Sequence, residues 1–406
     1  MADRLPDEAW LWYLGDPAVP VRVGTLRLVM QGRGVSLQYD SQWLERGFAL
    51  SEDLPLVDIE HLPPARDEAV GAVEDARPDR WGERVIRCLE RPARLSVLDC
   101  LYFAGDERFG ALSVSRSPDR HEPHQADVLP VLGDVRRIHA LVRRVMADEP
   151  IPEHERRLLA PGSTMGGARP KALVDIDGET WVVKFAESDD PMDTGLVEHA
   201  AMTLAAKAGI RVAPTMPVEA LGGHALAVKR FDRAPGRRLP AQSAYVALRA
   251  EGSEYGYPEL AQLLRRRGPV DVAPAHMREL FRRMVFNLLI DNTDDHEKNH
   301  ALLMDDSQHL HLSPAFDVLP TAQGLGYQQM RVGTEGAVST ARNALSMAAS
   351  FRLSAAEARR EARSVAQVCA GWRAHCAQVG VRAADLELLG RFIDRPALVG
   401  ERAALL

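Results

Sequence analysis

The sequence predicts an α+β fold, a two-lobed core preceded by a smaller mixed α/β subdomain, and three observations carry that expectation. The chain has 406 residues, more than one hydrophobic core ordinarily holds, so two or three domains are expected. Alternating apolar and polar residues about Gly-containing turns mark hairpins near residues 21–39 and 173–185. From Met277 onward apolar residues recur at helix spacing, and the tail is rich in Ala and Arg. The expected division is a subdomain of hairpin and helices over residues 1–150, a sheet-bearing small lobe over 151–275 and a mostly helical lobe over 276–406.

Composition narrows the class. The apolar share of 46% and charged share of 26% are those of a folded soluble protein. A net charge of -7 argues against general nucleic-acid binding, which needs a basic footprint, and the run Arg265–Arg267 reads as a solvated face. The four cysteines, Cys88, Cys100, Cys369 and Cys376, form no Cys-x-x-Cys pair, so neither a disulfide framework nor a cysteine zinc site is suggested. The opening Met1-Ala-Asp-Arg-Leu-Pro-Asp-Glu8 is unlike a signal peptide, and no run nears the roughly 18 apolar residues of a membrane span. A reducing cytoplasm is the expected compartment.

Taken in order, Val21–Met30 and Val35–Tyr39 alternate about Gly32-Arg-Gly34 as a hairpin. Helical stretches follow near residues 82–103, then a strand at 110–114 and a helix over 135–146. Nothing in this first part forms a catalytic constellation, and it reads as a packing or partner-binding module. A Pro-containing break at 149–153 leads to Gly162-Ser-Thr-Met-Gly-Gly-Ala-Arg-Pro-Lys171. This is not a Walker A loop, because Ala168 stands where Lys would follow the second glycine. Gly166 and Gly167 still let backbone N–H groups approach a phosphate, and Arg169 and Lys171 add charge.

Asp177-Gly178 between two apolar runs is the signature of a type I′ hairpin turn. Lys184 lies late in its second strand, either as an edge gatekeeper or as a charge kept for an anion. A helix over residues 194–208, ended by Gly209, carries Glu198 beside its apolar stripe, where the carboxylate could meet Lys184. A further strand is expected over 224–231. Residues 235–275 read as irregular loop plus a short helix. Met277, Leu280, Phe281, Met284, Val285 and Leu288 then make a buried helix, and Ser354-Ala-Ala-Glu357 is a capping box opening another that runs to about residue 377.

The buried helix runs into Asp291-Asn-Thr-Asp-Asp-His-Glu-Lys-Asn-His300, for which two chemistries compete. His296, Glu297 and His300 spell the zinc-protease pattern, which requires a helix, but Asp291–Asp295 stops helices and no third ligand stands at a known spacing. Asp294 and Asn299 have the Asp-x-x-x-x-Asn spacing of a phosphoryl-transfer loop, a carboxylate for the acceptor hydroxyl and an amide oxygen for a magnesium ion. Asp317, at the end of a short apolar strand, would be the second metal ligand. By chemistry alone Asp291 and Asp295 are competing bases. Gly-rich loop, hairpin, strand lysine and helix glutamate in this order match the small lobe of a protein-kinase-like core.

Gly166-Gly-Ala-Arg-Pro-Lys171, Val183-Lys-Phe185, Lys229-Arg-Phe-Asp-Arg233, Asn292-Thr-Asp-Asp-His-Glu-Lys-Asn299 and Ser313-Pro-Ala-Phe-Asp317 resemble the HipA-like serine/threonine kinases of bacterial toxin–antitoxin modules. Leu50–Leu56 and Gly105-Asp-Glu-Arg-Phe-Gly-Ala111 are similar to the small domain that precedes the kinase core in that family. The resemblance implies ATP and Mg²⁺, with Asp294 as base and Asn299 and Asp317 on the metal. It places Gly166, Gly167, Ala168, Arg169, Pro170, Lys171 and Lys184 around the phosphates and Lys229, Arg230 and Phe231 at the adenine. His296, Glu297, Lys298 and Phe316 would lie against the nucleotide. It further implies autophosphorylation at Thr164 or the adjacent Ser163, where the family more often has serine. Family targets include aminoacyl-tRNA synthetases, and the usual partner is a small helix-turn-helix antitoxin, HipB-like, through which DNA is contacted indirectly. An antitoxin-binding co-repressor with incidental or lost kinase activity, and a small-molecule phosphotransferase, share the same residues.

Overall fold

The computed structural model describes residues 7–92, 94–124, 128–159 and 169–406. They form two compact units, one of residues 1–185 with 229–242, the other of residues 186–228 with 243–406.

The first unit is built on a mainly antiparallel sheet in the spatial order Glu60–His61, Gly34–Tyr39, Val21–Val29, Glu8–Tyr13, Leu112–Ser115, with the short strand Glu68–Ala69 pairing parallel to Gly34–Tyr39. The expected hairpin pairs Gly24 with Tyr39 through Val29 with Gly34. Its turn, Met30–Gly32, has positive φ at all three residues. Leu11, Val23, Leu26, Val35 and Leu37 are completely buried, and the helix Val97–Phe103 packs on the sheet. Glu8–Tyr13 was not expected as a strand, because Trp10-Leu-Trp-Tyr13 is apolar without alternation. The helical stretch at 82–103 resolves into Arg80–Leu89, capped by Asp79, and Val97–Phe103, opened by a Ser96–Asp99 capping box.

In the same unit the hairpin of Lys171–Ile176 and Glu179–Lys184 turns through Asp177 and Gly178, with φ of 55° and 79°. Two consecutive left-handed residues are what a type I′ turn requires. The helix Val135–Met146 packs against the first of these strands.

The second unit is mostly helical. Thr194–Lys207 is followed by the antiparallel hairpin of Thr215–Ala220 and Gly223–Lys229. The stretch expected to be irregular with a short helix instead holds two helices, Ala244–Ala250 and Tyr257–Arg267. Their 7 and 11 residues give the helical period few turns in which to show, and glycines at 252 and 256 separate them. Ala273–Leu289 runs through the centre of this unit against Tyr257–Arg267 and Ala355–Ala370. The latter begins at the expected capping box, but the helix breaks at Gly371 and resumes as Trp372–Val379. All four cysteines are free, with Cys100, Cys369 and Cys376 buried. Among the described residues no helix is long and apolar enough to cross a membrane.

Candidate active site

The helix Ala273–Leu289 ends beneath the acidic loop, and burial sorts the three aspartates there. Asp291, with φ of 60°, is 1% exposed. Its carboxylate accepts from the Arg395 guanidinium and from Gly324 N (3.1 Å), and its carbonyl accepts from Thr321 N (3.0 Å) and Oγ1 (2.9 Å). Asp295 is equally enclosed, accepting from Tyr257 Oη and pairing with His300 Nε2 at 2.9 Å, while Asn287 Nδ2 donates onward to Tyr257 Oη (3.4 Å). Burial alone pushes the Asp295 carboxyl up, but the charge and hydrogen bond of His300, with the tyrosine hydroxyl, outweigh it and hold the carboxyl below its usual range. The same burial and the neighbouring carboxylate push the Tyr257 hydroxyl well up. Asp294 alone of the three is exposed.

Asn299 is 3% exposed and follows on the turn Glu297–Asn299. Its Nδ2 donates to the Asp294 carbonyl (3.4 Å), while its Oδ1 is buried and has no hydrogen-bond partner. An orphaned amide oxygen is costly to bury, and it is the donor type a hard divalent cation takes. The Asn299 Oδ1 therefore fits a hard divalent cation. Asp317, half-buried, has φ of 59°. A non-glycine residue in the left-handed region costs on the order of 1–3 kcal/mol, and such residues cluster where the backbone must aim a side chain. A small cavity joins the two segments, lined by Asp295, Asn299 and His300 on one side and Ala315, Phe316 and Val318 on the other.

The zinc pattern is not assembled. Glu297–Asn299 is a single 3-10 turn, and the chain then enters the strand Ala301–Met304, so His296 and His300 do not stack on a helix. His296 caps the turn, its Nδ1 accepting from Lys298 N (3.2 Å). Among the described residues no three His, Cys, Asp or Glu side chains converge to hold a metal. Lys298 is exposed, its ammonium 4.6 Å from the Tyr245 ring centre.

In the first unit Lys171 and Lys184 face each other across the hairpin, and both are buried. Lys171 forms an ion pair with Asp79, which also accepts from Gly82 N (2.9 Å) to cap the helix Arg80–Leu89. Trp81 Nε1 donates to the Lys171 carbonyl (2.7 Å). Sequence reasoning missed Asp79: its helix-start signal is local, whereas its lysine lies 92 residues away. Lys229 pairs with Glu179 (2.6 Å), Arg230 is buried against Asp232, and Phe231 meets Phe109 edge-on at 6.4 Å. Arg169 and Pro170 precede the hairpin. Ser163, Thr164, Gly166, Gly167 and Ala168 lie outside the described residues. In the second unit Glu198 is buried on Thr194–Lys207.

Comparison with known proteins agrees with this architecture. The HipA N-terminal domain model matches residues 19–115, and the HipA-like C-terminal domain model matches residues 163–372. Two Sinorhizobium fredii proteins, named "Putative kinase Y4dM" and "Putative kinase Y4mE", are each 32% identical to this chain, over 157 and 247 residues. These matches cover 36% and 53% of this chain and 38% and 56% of the relatives, so the chain spans about half or less of the curated relatives it matches. In structure, HipA from the Shewanella oneidensis MR-1 complex of HipA, HipB and operator DNA aligns over 98% of this chain and 97% of its own. The TM-score is 0.68 at 17% identity, a likeness of fold that bears out the α+β, kinase-like class. With the C-terminal domain model alone matching more than half of its residues, the chain belongs to the HipA-like family.

Proposed function

We propose that this protein is an ATP- and Mg²⁺-dependent protein serine/threonine kinase, the toxin of a toxin–antitoxin module. The observation that carries the reading is the Asn299 side chain, held through its Nδ2 on the Asp294 carbonyl with its buried Oδ1 left for a cation. In this reading Asp294 accepts the proton of the attacking hydroxyl while the hydroxyl oxygen bonds to the γ-phosphorus and ADP departs. Asn299 and Asp317 would hold Mg²⁺, which when bound would supply positive charge against the phosphates. Lys184 and the loop from Gly166 to Lys171 serve the phosphates; Lys229–Phe231 serve the adenine. The division at residues 150 and 275 is proposed as one of function, subdomain, nucleotide lobe and catalytic lobe.

The partner we propose is a small HipB-like helix-turn-helix antitoxin, with DNA reached through it, and the setting is the cytoplasm. Support comes from the family membership and from a neighbour of the same fold that is in complex with HipB and operator DNA. Asp294→Asn should reduce transfer of labelled γ-phosphate to protein acceptors by at least about 10³-fold, the scale of losing a catalytic group. Transfer at the wild-type rate would remove Asp294 from the role. Comparing phosphoproteomes after expression of wild type and Asp294→Asn would show whether the acceptor is a protein such as an aminoacyl-tRNA synthetase or a small molecule.

A further inference from the structure

A second concentration of buried charge lies in the first unit, where the segment 229–242 meets residues 105–110. Asp232 is completely buried. Its carboxylate accepts from Arg230 Nε (2.9 Å) and Nη2 (2.6 Å), from Arg233 Nη1 (2.9 Å) and from the backbone N–H of Gly110 (2.8 Å). The arginines then donate to the backbone of residues 105–110. Arg230 reaches the carbonyls of Glu107 (3.0 Å) and Arg108 (2.7 Å), and Arg233 those of Arg108 (2.8 Å) and Gly110 (3.0 Å). Arg238 donates to the Asp106 carbonyl and to Glu107 Oε1 (2.9 Å). Glu107 faces all three guanidiniums, within 3.7 Å of each.

We propose that this cluster is a positioning device for the nucleotide, in which residues 105–110 of the N-terminal subdomain fix the path of Lys229–Phe231. The inference rests on the adenine role assigned above to Lys229–Phe231. Both flanks of that tripeptide are tied. Lys229 pairs with Glu179 and Arg230 N donates to the Thr180 carbonyl (3.0 Å), while Arg230 and Asp232 are locked into the cluster. Most of the anchoring bonds end on backbone carbonyls, which fixes the direction of the main chain as well as its attachment. A buried ion cluster is a poor means of gaining stability alone, since apolar residues of similar volume commonly do as well. What it adds is geometry: a segment ordered before its ligand arrives loses less on binding. The N-terminal subdomain, which by sequence reads as a packing or partner-binding module, then becomes part of the nucleotide-binding machinery.

The test uses the full chain, a non-hydrolysable ATP analogue with Mg²⁺, and calorimetry. Glu107→Gln removes one charge at a partly exposed position while keeping shape. It should weaken analogue binding about tenfold and raise KM for ATP equally, with kcat at saturating ATP within about twofold. Glu107→Asp should restore most of the affinity. Asp232→Asn should have the larger effect, and if it does not fold, Glu107→Gln carries the test by itself. Unchanged analogue affinity in Glu107→Gln together with a lowered unfolding midpoint would overturn the proposal and leave a structural staple. Asp294→Asn should bind the analogue as wild type does, so failure of the catalytic assignment shows in transfer and failure of this one shows in affinity. A wild-type chain that binds no analogue overturns both.

Discussion

Asp294 and Asp295 are neighbours in sequence with opposite surroundings, and at the scale of the residue that contrast separates an exposed carboxylate from a buried one. Asp295 is enclosed by Tyr257 and His300, and Asp291 by Arg395, Gly324 and Thr321, so both carboxylates brace the loop from inside. The spacing to Asn299 points to Asp294 in the sequence, and in the fold Asp294 is the exposed one of the three. Asp295→Asn should destabilise the protein by roughly 1–3 kcal/mol, because it upsets two buried hydrogen bonds. Asp294→Asn, at an exposed position, should stay within about 0.5 kcal/mol of wild type. Urea titrations of the two variants check the pair; equal destabilisation would contradict the division of labour.

Among elements, the legible ones carry their signals within a few residues. The Asp177-Gly178 turn and the Ser354–Glu357 box are complete in four residues or fewer, and both form as read. The helix Ala273–Leu289, which runs into the acidic loop, declares itself through about three turns of apolar spacing from Met277 to Leu288. What stays hidden is the partnership between distant segments: Asp79 with Lys171, and Gly110 with Asp232 across 122 residues. No local pattern encodes these, because each half is an ordinary helix cap, strand end or loop until the chain closes on itself.

The same central helix carries a pH response. His276 lies buried against the strand Leu310–Leu312, its Nδ1 accepting from Leu312 N (3.4 Å), with His311 edge-on to its ring. Burial first, then the nearby Arg211 guanidinium, push its pKa down to about 4, against a weaker upward pull from Glu279 and further lowering by His311 and Arg283. The unfolded chain takes up this proton near pH 6.5 and the folded chain only near 4. This contribution is therefore complete above pH 6.5, falls as pH drops between those values and levels off below. His276→Gln should flatten that part of the stability profile, read as denaturation midpoints at pH 7, 5.5 and 4.5. A variant with the wild-type slope would remove His276 as a source of acid lability.

For the whole molecule, the two family models match residues 19–115 and 163–372, whereas the proposed site draws on segments that each unit presents separately. Asn299, Asp317 and the cavity lined by Asn299 and Phe316 belong to the second unit; the paired lysines and the Asp232 cluster belong to the first. The Gly-rich stretch to which the proposal gives a regulatory role falls outside the described residues. Its role is accessible to chemistry: incubation with Mg²⁺ and ATP should add one phosphate within Gly162–Met165, on Ser163 or Thr164, as read by intact mass and peptide mapping. Phosphate confined to other segments would count against self-modification at the loop.

The first unit is discontinuous, made of residues 1–185 and 229–242, with 186–228 belonging elsewhere. During synthesis the amino-terminal part must wait for its last piece. The residues from 186 to 242 take roughly 3–11 s to emerge at ordinary translation rates, and only then can Asp232 reach the Gly110 amide. A nascent chain arrested before that point holds the 105–110 turn without the arginines that occupy its carbonyls. The order of translation thus delays completion of the first unit until residue 242 has emerged.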